Sequence, residues 1–116
     1  MADTTLYLVF SNPVDGMEDE FNTWYDTVHV HEVLAMPGIL MAQRYKLFDA
    51  EITHAEGMPT PTHRYLTICE MEGDVDVVMA KIGEAYFTGA MSMSESLDLT
   101  SAAMSFWSPL GVKVHA

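Results

Sequence analysis

One short segment of the chain, WYDTVHVHE over residues 24–32, combines histidines with carboxylates and aromatic rings. Asp26 precedes His29 by three residues and Glu32 follows it by three, and residues three apart are neighbours on a helix. Each carboxylate is therefore placed to hydrogen-bond one imidazole nitrogen and to fix the tautomer of the ring. Because histidine has an unperturbed pKa of ~6.5, such a ring can accept or donate a proton near neutral pH.

The predicted helix has an apolar stripe that we expect to face the core: Met17, Phe21, Trp24, Tyr25, Val28 and Ala35. Aromatic residues of this stripe flank the histidine. His29 falls beside Tyr25 at one edge of the apolar stripe, and His31 falls beside Trp24 at the other edge. We predict an acid–base site in which His29 moves the proton, Asp26 orients its ring and Tyr25 is a hydrogen-bonding partner. Trp24 and His31 are candidate substrate contacts, with Trp24 in an apolar wall. A purely structural interpretation stays open, with a surface ion pair and two core aromatics.

The spacing of the histidines argues against a metal site. His29 and His31 are ~200° apart on a helix and cannot share an ion; they would do so only on a strand. The other histidines, at positions 54, 63 and 115, are scattered. The chain has no four-ligand spacing, cysteine pair, phosphate-binding glycine loop or nucleophile elbow. We therefore expect no bound metal ion.

The surrounding pattern predicts the elements that position these residues. Helix signals open at Asp15, where Asp15 and Glu18 have capping-box spacing, and they end near Ala35 before Pro37-Gly38. A second helix lies between Asp74 and Gly89, and its apolar residues keep a 3.6-residue period. Runs of β-branched and aromatic residues predict strands over residues 4–10, 39–48, 64–71 and 101–108. The order βαββαβ predicts an α+β, ferredoxin-like fold: a four-stranded antiparallel sheet with both helices on one face.

Both faces of this sheet are apolar in sequence. Strand one alternates Leu6, Leu8 and Phe10 on one face with Tyr7 and Val9 on the other. The helices cover only one face, so the other needs a second cover. A two-fold partner supplies one, which predicts a homodimer in the form of a dimeric α+β barrel.

Composition restricts the partners. The 116 residues have room for one domain, 1–116, and the formal net charge is −12. A field of that sign repels phosphate backbones and anionic lipids, so we expect neither nucleic acid nor membrane as a partner. No segment approaches the ~20 apolar residues of a membrane span, and the start lacks a signal-peptide pattern, which predicts a cytoplasmic protein. The single cysteine, Cys69, lies in an apolar run and is expected to be buried.

Three stretches carry a resemblance to a known family: EFNTWYDTVH (20–29), HEVLAMPG (31–38) and AQRY (42–45). They resemble the first helix and second strand of EthD-like proteins in the dimeric α+β barrel superfamily. The resemblance is most specific over residues 18–45, and elsewhere it rests on element order and the closing WSPLG (107–111). That superfamily contains small cofactor-free enzymes, which implies no cofactor here and supports a functional His29. The family usually has proline where this chain has His31, so it supports no role for His31.

These observations predict a small cofactor-independent enzyme of lyase, isomerase, cyclase or oxygenase type. Its substrate would be a small apolar or aromatic metabolite bound between the first helix and the sheet. A non-catalytic small-molecule-binding or accessory protein is the alternative. Arg44 is a candidate anchor for a substrate carboxylate, or else a structural partner for an acid of the first helix. Ten methionines, Met91 and Met93 among them, would suit an adaptable apolar cavity.

Overall fold

Four antiparallel strands form one sheet in the computed structural model, which describes residues 4–116. The strands pair in the order β2-β3-β1-β4. Their bounds are β1, Thr4–Ser11; β2, Ile39–Lys46; β3, Tyr65–Glu72; and β4, Ala103–Trp107. With the helices between them, this confirms the predicted ferredoxin-like α+β fold. The first three residues of the predicted domain lie outside the described part of the chain.

The first helix consists of three consecutive segments. Glu18–Trp24 is α-helical, Tyr25–His29 forms a π-helical turn, and Val30–Leu34 is α-helical again. The helix begins after Met17 without a side-chain cap, and Asp15 lies in the preceding turn. The predicted capping role of Asp15 is therefore wrong.

The second helix, Val75–Thr88, has the predicted ends. The Asp74 side chain accepts a hydrogen bond from the Val77 amide at its start. Gly89 follows the helix with φ +83°, a left-handed conformation that glycine adopts without strain.

Alternate side chains divide the sheet into two faces. Tyr7, Cys69 and Met71 point toward the helices and pack with Val78 and Ile82 of the second helix. Cys69 is fully buried, as expected from the sequence. A second buried cluster joins Phe21 and Tyr25 of the first helix to Tyr65 of β3. The opposite face has no cover from the described residues of this chain, and Leu6, Tyr45 and Trp107 are 37%, 44% and 56% exposed there.

The connection between the second helix and β4 folds back over one end of the sheet. Leu97 makes an isolated bridge with Pro13, just after β1. The Val14 amide donates to the Ser96 carbonyl at 2.7 Å, and the Asp98 amide donates to the Asn12 carbonyl at 3.0 Å. These bonds tie residues 96–98 to residues 12–14, the segment between β1 and the first helix. In the described part of the chain, no helix is long and apolar enough to cross a membrane.

Candidate functional site

The π-helical turn brings His29 into the interior. A π turn closes with i→i+5 hydrogen bonds, so it is wider than an α turn and rotates less per residue. Within Tyr25–His29 this widening places His29 rather than Val28 above Tyr25. His29 is 7% exposed, whereas Val28 is 39% exposed. The predicted core position of Val28 is wrong, and so is that of Ala35, which is exposed just beyond the helix.

Aromatic rings enclose the imidazole on three sides. The His29 ring stacks on Trp24, with centroids 4.6 Å apart and planes 13° apart. Tyr25 meets it edge-on at 5.0 Å. Its Nε2 atom lies 3.1 Å from the hydroxyl of Tyr86, on the second helix. The ring is therefore held in one orientation with a single hydrogen-bonding partner at Nε2.

Glu32 faces the other ring nitrogen. Its Oε1 lies 3.6 Å from His29 Nδ1, longer than an ordinary hydrogen bond but close enough for electrostatic attraction. The same carboxylate accepts hydrogen bonds from the Ser92 amide at 3.0 Å and the Ser92 hydroxyl at 3.3 Å. Trp24 Nε1 donates to that hydroxyl at 3.4 Å. The network fixes the carboxylate beside the imidazole.

Burial controls the protonation of both rings. It lowers the pKa of His29, although the nearby Glu32 carboxylate acts in the opposite direction. Burial also raises the pKa of Tyr86 to about 12, so its phenol stays protonated at neutral pH. A protonated phenol beside a neutral imidazole donates to Nε2, which leaves the imidazole proton on Nδ1, facing Glu32. His29 is thus a neutral base at pH 7.

The imidazole lies in the wall of a cavity of about 330 Å³ between the helices and the sheet. Burial raises the pKa of the Tyr25 phenol in the same wall, while Thr67 and Arg44 lower it. Most of the remaining lining is aliphatic or sulfur-containing. The full lining is Val9, Ser11, Tyr25, His29, Val30, Val33, Thr67, Cys69, Tyr86, Met93, Leu97, Leu99, Ala102 and Met104.

Two of the predicted site residues, His29 and Tyr25, line this cavity, and two others do not. Trp24 supports the His29 ring from its far face and is not part of the lining, so the predicted wall position of Trp24 is wrong. His31 is exposed and also lies outside the lining. A contact between His31 and a substrate in this cavity is therefore not supported by the geometry.

Asp26 and Arg44 pair with each other instead of serving the cavity. Arg44 Nη1 lies 2.7 Å from Asp26 Oδ1, and Nη2 donates to Asn22 Oδ1 at 2.9 Å. The guanidinium also lies 4.4 Å from the centre of the Tyr25 ring. The predicted role of Asp26 as the residue that orients His29 is corrected, because Asp26 points to β2 and Glu32 takes that place. Arg44 is the structural partner of a first-helix acid rather than a cavity anchor.

Sequence reasoning missed Tyr86 and Ser11 as site residues. Tyr86 fits the apolar period of the second helix, so the pattern indicated a core residue. Ser11 belongs to the segment Ser11-Asn12-Pro13, which ends the first predicted strand, and nothing in the sequence around it indicated a binding role. The i, i+3 spacing of His29 and Glu32 was the one local signal that pointed to the observed pair.

Outside this cavity, the described residues form one further groove of interest. A groove of about 550 Å³ at the ends of β2 and β3 includes Phe10, Tyr45, Phe48 and His63. His63 already contacts the Ser101 carbonyl through Nε2, at 2.7 Å. Over residues 4–116, no cluster of three or more His, Cys, Asp or Glu side chains is placed to hold a metal ion.

Solved structures share this fold. The haem degrader MhuD from Mycobacterium tuberculosis, solved with two haems in its active site, has a TM-score of 0.62 and 17% identity over 94% of this chain and 99% of its own. An ethyl tert-butyl ether degradation (EthD) family protein from Bacillus halodurans C-125 has a TM-score of 0.59 and 13% identity, over 93% and 99%. A candidate monooxygenase from Shewanella loihica PV-4 has a TM-score of 0.58 and 17% identity, over 97% and 99%.

These similarities define the fold class. The chain has a ferredoxin-like α+β fold, and the solved structures that share it include an EthD family protein, the family that the sequence resembles. No protein-family model matches the sequence, and no curated protein matches it. At these identities the comparisons establish the fold alone.

Proposed function

We propose that this protein is a cofactor-independent acid–base enzyme that acts on a small apolar or aromatic metabolite. The observation that carries the proposal is the placement of His29. A buried, neutral imidazole lies between the Tyr86 phenol and the Glu32 carboxylate in the wall of an apolar cavity. General bases with these surroundings are a common feature of active sites.

The proton transfer follows from the contacts. Tyr86 contacts the substrate and passes its hydroxyl proton to His29 Nε2 while it takes a proton from the substrate. The resulting imidazolium is stabilised by Glu32, 3.6 Å from Nδ1. Return of the proton to a different substrate atom completes an isomerisation, and its delivery to a leaving group completes an elimination. The apolar walls exclude water, which strengthens the electrostatic interaction between imidazolium and carboxylate.

His29 is not placed to coordinate the iron of haem, which is the ligand of MhuD. Iron coordination requires a free imidazole nitrogen. Here Nε2 is engaged by Tyr86, and Nδ1 faces Glu32 inside the protein. No step of the proposed reaction is routed through a haem.

A non-catalytic binding protein is the second candidate. The observation that favours it is the predominance of Val, Leu, Ala and Met in the cavity lining, which suits capture of an apolar molecule without reaction. The two candidates share the cavity and differ in what happens to the ligand.

We also propose that the protein is a cytoplasmic homodimer. The support is the uncovered sheet face, on which Leu6, Leu8, Phe10 and Ile68 form an apolar surface opposite the helices. Single chains rarely leave a whole sheet face of this character in water. A second copy related by two-fold symmetry would bury the same surface on both chains.

The decisive experiment first identifies the ligand and then tests whether the protein converts it. Native mass spectrometry of freshly purified protein identifies a retained molecule, which is then incubated with substoichiometric protein in D₂O and followed by NMR. Conversion of the molecule, or exchange of one of its carbon-bound protons, is expected for the enzyme. The His29→Gln variant should lose that exchange, and His31→Gln, on the exposed side of the same helix, should keep it. An unchanged ligand with the wild-type protein would favour the binding protein.

A further inference from the structure

We propose that the cavity selects an uncharged, mainly apolar ligand that carries one hydrogen-bonding oxygen, and that Ser11 is the residue that recognises this oxygen. The inference deepens the proposed function, because it concerns the ligand of the same cavity. It assigns a specificity role to a residue outside the His29–Tyr86 pair.

The first support is the hydroxyl of Ser11. Ser11 ends β1 on the helix-facing side of the sheet, is 1% exposed, and belongs to the cavity lining. Its Oγ has no hydrogen-bond partner among residues 4–116. The nearby buried Ser96 differs, because its hydroxyl lies 2.6 Å from that of Ser94. A buried hydroxyl without a partner costs free energy, and a ligand oxygen at the cavity wall would remove that cost.

The second support is the absence of ionised groups from the lining. Among residues 4–116, no Lys, Arg, Asp or Glu lines the cavity. Arg44, whose guanidinium packs on the Tyr25 ring, is committed to Asp26 and Asn22 and does not belong to the lining. A bound carboxylate would be removed from water without a countercharge, which strongly disfavours an anionic ligand. Glu32 is not exposed to the cavity and so gives an ammonium group no partner there either.

The two polar regions lie on opposite layers of the fold. Ser11 belongs to the sheet, whereas His29 and Tyr86 belong to the two helices. A ligand between the layers would direct its oxygen to Ser11 and its reacting atom to Tyr86, with aliphatic side chains around the rest. Ser11 would then choose both the ligand and its orientation.

Three probes that share the naphthalene ring test the proposal. 2-Naphthol is uncharged at pH 7 and has one hydroxyl. Naphthalene has no polar atom, and 2-naphthoate is charged. Fluorescence titration of the wild-type protein should show 2-naphthoate binding at least ~10-fold more weakly than 2-naphthol. Ser11→Ala should weaken 2-naphthol about 3- to 10-fold, the value of one hydrogen bond, and leave naphthalene unchanged.

Ser11→Thr, which keeps the hydroxyl, should retain the preference for 2-naphthol over naphthalene, and Ser108→Ala at the exposed end of the sheet should match wild type. Equal binding of 2-naphthoate and 2-naphthol overturns the charge selection. An unchanged affinity of Ser11→Ala for 2-naphthol, or an equal loss for naphthalene, overturns the role of Ser11. A wild-type protein that binds none of the probes overturns the proposal as a whole.

These measurements need no turnover, so their outcome is independent of the acid–base step. If circular dichroism shows that Ser11→Ala does not fold, the relative affinities of the three probes for the wild-type protein still decide the charge selection.

Discussion

His29 is only 7% exposed, yet both of its ring nitrogens face polar groups: the Tyr86 phenol of the second helix at Nε2 and the Glu32 carboxylate of its own helix at Nδ1. Burial disfavours the charged ring and the positive charge of Arg44 adds to this effect, whereas Glu32 favours the charged ring. Burial is the larger effect, so the pKa is lowered. The residue is therefore poised as a base and not as a permanent cation.

The lowered pKa predicts a pH-dependent stability. Between the pKa of His29 in the folded protein and ~6.5, the unfolded chain binds the proton that the folded chain excludes. Stability should therefore fall as the pH decreases below about 6.5, whereas activity should fall only at lower pH, near the lowered pKa of His29 in the folded protein, where the base becomes protonated. Thermal unfolding of wild type and His29→Gln at pH 7.5 and pH 5 checks this, and the variant should lose less stability. An equal loss in both proteins would assign the effect to other groups.

Glu32 should tune His29 through its charge. Glu32→Gln keeps the size of the side chain but removes the anion that favours the imidazolium, so the pKa of His29 should decrease further. NMR titration of the His29 ring protons measures the shift. Glu20→Gln, an exposed substitution in the first turn of the same helix, should leave the titration unchanged. An unmoved His29 pKa in Glu32→Gln would contradict the proposed positioning role.

At the scale of the elements, the π turn is the feature that makes the site. It interrupts the regular helix at Tyr25–His29, exchanges Val28 for His29 on the inner face, and turns Asp26 toward β2. On a regular helix Val28 would belong to the apolar stripe and His29 to its edge, whereas here His29 is 7% exposed and Val28 is 39% exposed. Wide turns of this kind occur frequently at functional sites, and this one has a direct chemical consequence.

Close packing of the second helix on the start of β2 sets the width of the layer above the sheet. Gly38 has φ +96°, and a Cβ there would lie 2.7 Å from Val78 Cγ2 and 3.1 Å from the Glu72 carbonyl oxygen. Gly38→Ala should therefore destabilise the fold by about 2 kcal/mol or more, through backbone strain and collision. Gly83→Ala, in the second helix with open space around it, should stabilise by about 0.5–1 kcal/mol. Urea denaturation compares the two, and equal effects would contradict this account.

At the scale of the whole molecule, the two faces of the sheet differ in what covers them. One is covered by the helices, and the other exposes apolar side chains along β1, β3 and β4. Light scattering at micromolar concentration should give about twice the 12.9 kDa mass of the chain. Leu8 lies in the centre of the open face, opposite Ile68 and Ser105.

Substitution of Leu8 should separate the predicted dimer. A lysine there places an unpaired charge in a buried interface, so Leu8→Lys should scatter as a monomer. Val77→Lys is the matched control, since Val77 is 54% exposed on the second helix, away from that face. It should remain a dimer. A monomeric wild-type protein would exclude the barrel.

The sequence by itself determined the order of the elements, the ends of the second helix and the burial of Cys69, and it singled out His29 as a candidate site residue. Each depends on signals within a few residues: alternation, helical period, a cap, a glycine stop. Predicted strands differ from the structure by a few residues at their ends, as for β2, predicted over 39–48 and observed as Ile39–Lys46.

Tertiary structure alone decided which groups meet at the site. Tyr86 is 57 residues from His29, and Arg44 is 18 residues from Asp26. No local pattern encodes such pairs, because they arise when helices and strands pack. The π turn is likewise a tertiary outcome: a regular helix predicts Val28 inside, and packing of His29 against Trp24 and Tyr86 stabilises the wider turn instead. The same packing encloses the cavity and leaves Ser11 in its wall without a partner.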